Sequence, residues 1–274
     1  MTIFEAFLLG LVQGLTEFLP VSSSAHLIFF QHLLGFKESM LFYDIVLHLG
    51  TLAALFVFFA KDLAHLVRDS IYGIFYLLRG KSWKSTFEIV PYFRWAVGII
   101  VASVPTGLMG IFLKDWFEAM FGSLEVTGIT LILNSAILWL TLYFRDGNKK
   151  MERVRITDFL IIGILQGISI VPGISRSGAT IAGGLFLGME RETAFRFSFL
   201  IAIPAILGAG LLEIPDAATG LGLTHGIGFL VSAVSGLFAL FLLRRMMRQG
   251  KLQAFALYTL LFGILILSLT QWLE

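Results

Sequence analysis

Two long apolar stretches of this chain are each broken near the middle by a polar motif, and that pattern limits the fold more than any other feature. Residues 3–35 contain QGLTEFLPVSSSAH (13–26), and residues 156–190 contain PGISRSGAT (172–180). Each motif is flanked by apolar arms of roughly 12–16 residues, short of the roughly 17–25 needed to cross a bilayer. Pro20 interrupts the first stretch, and Pro172 with Gly173 interrupts the second. Proline breaks a helix because it lacks an N–H and clashes with the preceding turn. Each region therefore predicts a re-entrant helical hairpin with its tip near mid-membrane. Irregular backbone at that depth is tolerated only against protein or a wet cavity.

Six further stretches are long enough to span: about 42–60, 95–113, 126–144, 197–213, 226–243 and 252–273. With 57% hydrophobic and 14% charged residues, and a mean hydropathy of +0.89, the chain lies outside the range of soluble domains. A net charge of +2 gives no electrostatic footprint for nucleic acid, and the lack of cysteine excludes disulfide and thiolate chemistry. The start, MTIFEAFLLG, has no basic n-region and reads as part of the fold rather than a signal peptide. The expectation is an all-α polytopic membrane protein, residues 1–274 forming a single integral membrane domain.

The charges give an orientation. All Lys and Arg except Lys37, Lys114 and Arg176 fall in four groups. These are 61–94, 145–155, 191–196 and 244–251. By the positive-inside rule those groups are cytoplasmic. The alternation works only if the first hairpin enters from outside and the second from inside, which leaves both termini outside. Residues 62–80 then read as an amphipathic segment on the inner surface with Tyr72, Phe75 and Tyr76 toward lipid, or else as a plain loop.

An internal repeat is visible at an offset of 153. GLVQG (10–14) aligns with GILQG (163–167), Thr16 with Ser169, Ser22 with Ser175, Ser24 with Ser177, Gly35 with Gly188 and Phe42 with Phe195. The halves, 1–145 and 156–274, each hold one hairpin and three spans. Three is odd, so they have opposite orientation. Such inverted-topology repeats place a functional site at their interface near mid-membrane.

Ionisable residues at that depth are costly and are functional candidates by default. Gln13 and Glu17 are spaced to share a helix face. Glu17 offers a hard oxygen ligand and Gln13 a carbonyl oxygen, a start for Mg²⁺ or Ca²⁺ completed by phosphate and water. Gln13, like Gln166, can equally tie helices together by hydrogen bonding. Ser22, Ser23, Ser24 and His26 open the second arm. A helix start with free N–H groups favours an anion, above all phosphate, although one serine can be only a cap. His26 is a candidate acid or base, or a hydrogen-bonded core histidine. In the second motif Ser175, Arg176 and Ser177 precede Thr180 by one turn. A guanidinium among hydroxyls suits phosphate, or an ion pair from Arg176 to Glu17. If the tips meet, arginine, metal and N–H groups converge as phosphoryl transfer requires. A mid-membrane location suggests a substrate with a phosphate head and a lipid tail. Asp44 and His48 read as flanking or interfacial residues, and Asn134 as helix packing.

QGLTEFLPVSSSAH and PGISRSGAT together closely resemble the two signature segments of the bacterial undecaprenyl-pyrophosphate phosphatases of the bacitracin-resistance type. The resemblance implies hydrolysis of undecaprenyl diphosphate to undecaprenyl phosphate and phosphate, recycling carrier lipid for peptidoglycan and conferring bacitracin resistance. It implies a multi-pass protein of the bacterial inner membrane, with its site open to the extracytoplasmic side. By position it carries the acidic motif to Gln13 and Glu17, the serine–histidine segment to Ser22, Ser23, Ser24 and His26, and the arginine motif to Ser175, Arg176, Ser177 and Thr180. Gln13 stands where the family has Glu or Gln, Ser24 where threonine is frequent and Ala25 where glycine is frequent. The expected catalytic set is Glu17, Ser23, His26 and Arg176. Phosphate contacts are expected from Ser22, Ser24, Ser175, Arg176, Ser177 and Thr180, and metal ligation from Glu17 and Gln13. Ser23 is the candidate nucleophile, with His26 or Glu17 handling the proton; water activated by Glu17 is the rival. A lipid-phosphate flippase built on the same repeat is the alternative function, and a homodimer is left open.

Overall fold

The computed structural model describes residues 1–36, 40–121, 123–144, 147–213 and 222–273. Lys37 and Arg145, two of the charges used for orientation, lie outside the described residues. The described chain is helical: α1 Ile3–Phe18, α2 Ser23–Leu33, α3 Leu41–Phe58, α4 Ala60–Leu78, α5 Trp83–Ile89, α6 Pro91–Phe112, α7 Lys114–Phe121, α8 Leu124–Leu140, α9 Ile156–Ile168, α10 Arg176–Phe186, α11 Arg191–Glu213, α12 Leu223–Arg248 and α13 Gln253–Leu273. Six of them, α3, α6, α8, α11, α12 and α13, are long and apolar enough to cross a membrane.

Local chemistry explains the boundaries. Thr2 and Glu5 form a reciprocal capping box at the start of α1, with bonds of 2.6 and 3.2 Å. Pro91 sits at the first turn of α6, where a missing N–H costs nothing. Leu19 is extended before Pro20, as the residue before proline prefers, and α1 stops there. Gly173 takes φ 93° at the second break, and a β-carbon there would lie 2.6 Å from the Thr127 carbonyl. Several spans run past their hydropathy limits. The fifth was expected over 226–243, yet α12 continues to Arg248 because Arg244 and Arg248 are satisfied by Glu192 rather than ending the helix.

α2 and α10 are each 11 residues. At 1.5 Å per residue they reach only about 16 Å, roughly half the hydrocarbon thickness. α1–α2 and α9–α10 pack as two helical hairpins, which fits the re-entrant reading. The pairing of helices fits an inverted repeat as well. α1 and α3 pack on α12, while their counterparts α9 and α11 pack on α6. α8 packs on α13. The small residues of the two GxxxG runs make this possible. A β-carbon on Gly10 would lie 2.9 Å from the Gly228 carbonyl, and one on Gly163 would strike the Ala102 backbone. Small residues at a membrane helix crossing let backbones approach. Gly163→Val is therefore expected to lower the melting temperature in detergent by an overpacking cost of about 1–3 kcal/mol. An unchanged melting temperature would show that α6 and α9 do not pack this closely.

α4 is a helix rather than a plain loop. It buries Leu66, Asp69 and Gly73 and exposes Val67, Ile71, Tyr72, Ile74, Phe75 and Leu78. Beneath the two hairpin tips, Phe18, Phe59, Phe195 and Phe199 pack in edge-to-face, tilted and stacked pairs with ring centroids 5.0–6.2 Å apart, an aromatic floor for the polar residues above.

Candidate functional site

At the first tip, Gln13 and Glu17 share a face of α1, and Gln13 Nε2 donates to Glu17 Oε2 at 3.1 Å. The chain turns through Leu19, Pro20 and Val21 and starts α2 with Ser22 as its N-cap. This brings Ser23 back over the end of α1, where its hydroxyl donates to Glu17 Oε2 at 2.6 Å. At the second tip Ser175 caps α10 by accepting from the Gly178 amide at 3.1 Å. Arg176, the first residue of α10, donates through Nη2 to Glu17 Oε1 at 2.7 Å. Its guanidinium lies over the Phe199 ring at 5.6 Å. The tips thus meet on one carboxylate, which joins an acid and a hydroxyl of one hairpin to the guanidinium of the other.

Asn134 of α8 holds the two tips in register. Its Nδ2 donates to the Pro20 carbonyl at 3.1 Å, and its Oδ1 accepts from the Ser175 amide at 3.0 Å. The side chain is fully buried. Thr130, one turn earlier, donates to the Pro172 carbonyl. Asn134→Ala would leave a buried N–H and a buried carbonyl unpaired, at a cost of about 1–3 kcal/mol each. A lower melting temperature together with reduced turnover is expected, and turnover equal to the parent protein's would contradict the clamp.

The centre is sheltered but not sealed. The Glu17 side chain is 8% exposed and that of Arg176 15%, while His48 on the rim is 37% exposed. His48 Nε2 stands 3.6 Å from Glu17 Oε2. Its Nδ1 is 2.8 Å from the Asp44 carbonyl, which fixes the ring. Two polar atoms at the centre are buried without a hydrogen-bond partner: Gln13 Oε1 and Arg176 Nη1. A buried acceptor and a buried donor left open beside a carboxylate suit a cation and an anionic ligand respectively.

The structure brings Gln13, Glu17, Ser23 and Arg176 into direct contact. The other serines form matched pairs at the two helix starts, Ser22 with Ser24 and Ser175 with Ser177, each pair of hydroxyls 3.1 Å apart. Thr180 bonds the Arg176 carbonyl at 2.7 Å and Ser198 at 2.6 Å, bracing the guanidinium's own helix. His26 is turned away from Glu17 and toward α13. Its Nδ1 is 2.7 Å from the Ser22 carbonyl and its Nε2 2.7 Å from the Tyr258 hydroxyl. Gln166 ties α9 to Thr106 of α6 at 3.2 Å, a packing contact. Asn134, which the sequence suggests only as helix packing, instead joins the two tips. A lone buried amide in a span gives the only hint, and it names no partner. His48 was placed near the site without its contact to Glu17.

Gln13 and Glu17 fit a hard divalent cation, since both supply oxygen and the Gln13 carbonyl oxygen has no other partner. Among the described residues no group of three or more His, Cys, Asp or Glu side chains gathers, so phosphate and water oxygens would complete such a shell.

A sequence profile of the family described as bacitracin resistance protein BacA matches residues 6–265. The undecaprenyl-diphosphatase of Alkaliphilus metalliredigens is 44% identical, covering 97% of this chain and 98% of the relative. That of Methanosphaera stadtmanae is 42% identical over 98% of each. That of Carboxydothermus hydrogenoformans is 40% identical, again over 98% of each.

Proposed function

The chain belongs to the bacitracin resistance protein BacA family, and from that premise we infer that it is an undecaprenyl-diphosphatase. It is a multi-pass membrane hydrolase that converts undecaprenyl diphosphate to undecaprenyl phosphate and inorganic phosphate. Returning carrier lipid to cell-wall synthesis and resistance to bacitracin fit the same family. The flippase alternative is not supported, because the relatives matched over their whole length are diphosphatases.

The observation that carries the chemistry is the pair of bonds on Glu17, 2.6 Å from Ser23 and 2.7 Å from Arg176. Glu17 is the base nearest the Ser23 hydroxyl. As its oxygen attacks the terminal phosphorus, Glu17 takes the proton, and the bond from that phosphorus to the bridging oxygen breaks. Undecaprenyl phosphate leaves with the proton that Glu17 took, which returns the carboxylate to its basic form. Water then attacks the phosphoserine, and Glu17 accepts its proton and passes it to the Ser23 oxygen as phosphate departs. Arg176, with Nη1 unpartnered, holds phosphate oxygens as charge builds in the transition state. The amides at the starts of α2 and α10, with Ser22, Ser24, Ser175 and Ser177, surround the phosphates, and Thr180 supports Arg176. Glu17 and Gln13 would hold Mg²⁺ or Ca²⁺, which supplies Lewis-acid neutralisation of phosphate charge. His48 lies in the half of α3 remote from Lys61. The rim therefore faces away from the basic loops, which supports an opening on the extracytoplasmic side of the inner membrane.

Purified protein in detergent is expected to release phosphate from undecaprenyl diphosphate with Mg²⁺ and to stop when EDTA is added. Absence of release from folded protein would overturn the activity. Undiminished release in EDTA would remove the metal from the proposal.

A further inference from the structure

We propose that His26 and Tyr258 are positioning residues that lock the Ser22 backbone in a left-handed turn and so aim Ser23 at Glu17. This rests on the reading of Ser23 as nucleophile.

Ser22 has φ 67°, and among the described residues every other positive φ belongs to glycine. An L side chain rarely adopts this conformation, and something must hold it. Helix capping does not require it, because the other hairpin supplies the control. Ser175 occupies the equivalent position and makes the same bonds. It caps the amide three residues on, at 3.1 Å against 3.5 Å for Ser22, and its hydroxyl pairs with the one two residues on, at 3.1 Å in both. Yet Ser175 has an ordinary φ of −76°. The hairpins differ four residues further along, where the first has His26 and the second, at the repeat offset, has Ala179. The second hairpin turns on Gly173, whose φ of 93° carries no β-carbon penalty; in the first hairpin the positive φ falls on a serine, and an imidazole holds that serine's carbonyl.

The hydrogen bonding of the ring defines what it can do. The Ser22 carbonyl carries no proton, so Nδ1 is the donor in the 2.7 Å contact. Nε2 of the neutral ring then accepts from the Tyr258 hydroxyl, also at 2.7 Å. Phe262 stacks on the ring with centroids 4.3 Å apart. Both nitrogens are taken, and neither partner is Ser23, whose hydroxyl goes to Glu17. By donating to Nε2, Tyr258 keeps the proton on Nδ1, and so acts on Ser22 through the ring. His26 therefore holds a carbonyl and takes no proton from Ser23.

Asparagine and glutamine distinguish this role from proton transfer. An asparagine amide places its N–H where Nδ1 lies, whereas a glutamine amide reaches the position of Nε2. The test is kcat and KM for phosphate release by the full chain in detergent, with melting temperatures alongside. His26→Ala and His26→Gln are expected to lose about 100-fold in kcat at little cost in KM, the scale of a misplaced reacting group. His26→Asn should recover to within about 10-fold of the parent protein, and Tyr258→Phe should lose about 10-fold in kcat, one hydrogen bond's worth. His26→Asn as inactive as His26→Ala, at equal melting temperature, would overturn the proposal in favour of a proton-transfer role. If the His26 variants fail to fold, Tyr258→Phe decides, and an unchanged kcat overturns it. Ser23→Ala is the separate arm for the underlying reading. Turnover retained there defeats the nucleophile assignment whatever the His26 variants do.

Discussion

Arg176→Ala is expected to reduce phosphate release by about 10³–10⁴-fold, the range seen when an arginine that stabilises a transferring phosphoryl group is removed. Two effects combine. The phosphates lose the guanidinium whose Nη1 is free for them, and Glu17 loses its 2.7 Å partner. A carboxylate that is 8% exposed then loses its guanidinium and keeps the Ser23 and Gln13 donors, with His48 3.6 Å away. Breaking a buried pair from one side costs about 3–5 kcal/mol, so a lower melting temperature should accompany the loss of activity. Arg176→Lys separates the two. One ammonium can restore the ion pair and much of the stability, but it cannot bond Glu17 and a phosphate in forked geometry. Recovered melting temperature with turnover still at least about 100-fold down is the expected pattern. A lysine variant with parental turnover would reduce Arg176 to a charge that ties the halves together.

Glu17→Gln carries the other large effect. The amide matches the carboxylate in size and can still bond Ser23 and Arg176, so the loss of melting temperature should be smaller than for Arg176→Ala. It cannot take a proton, and it is a poorer ligand for a hard cation. A fall of about 10³-fold in kcat is expected, consistent with loss of a general base together with ground lost at the metal. Measured against Mg²⁺ concentration, residual activity should no longer saturate as in the parent protein. Parental activity with an unchanged metal requirement would remove Glu17 from both roles.

Much of the architecture was legible because lipid makes sequence patterns strict. Helices long enough to span announce themselves by length and apolarity, and the polar breaks at Pro20 and Pro172–Gly173 located both hairpins. The ion pair between Arg176 and Glu17 was one of two readings of that arginine, the other being a phosphate contact, and the structure forms it at 2.7 Å. What escaped were the uncharged contacts to partners distant in sequence. Asn134 bonds Pro20 and Ser175, 114 and 41 residues away, and no local pattern marks that. His26 was read from its neighbours in sequence, Ser22 to Ser24, while its orientation is set by Tyr258, 232 residues on. Helix ends were missed for a different reason. A hydropathy window stops at the first charge, but α12 carries on through Arg244 and Arg248 because Glu192 lies within reach.

The central claim is that a serine from one hairpin, a carboxylate base and an arginine from the other hairpin work as one phosphoryl-transfer centre. Its most direct test is acid quenching of the first turnover with undecaprenyl diphosphate labelled on the terminal phosphate, followed by peptide mapping. A covalent label on the peptide bearing Ser23, absent from Ser23→Ala and from Arg176→Ala, is the predicted result. No label on the parent protein, with Ser23→Ala turning over at the parental rate, would contradict it and assign the attack to water.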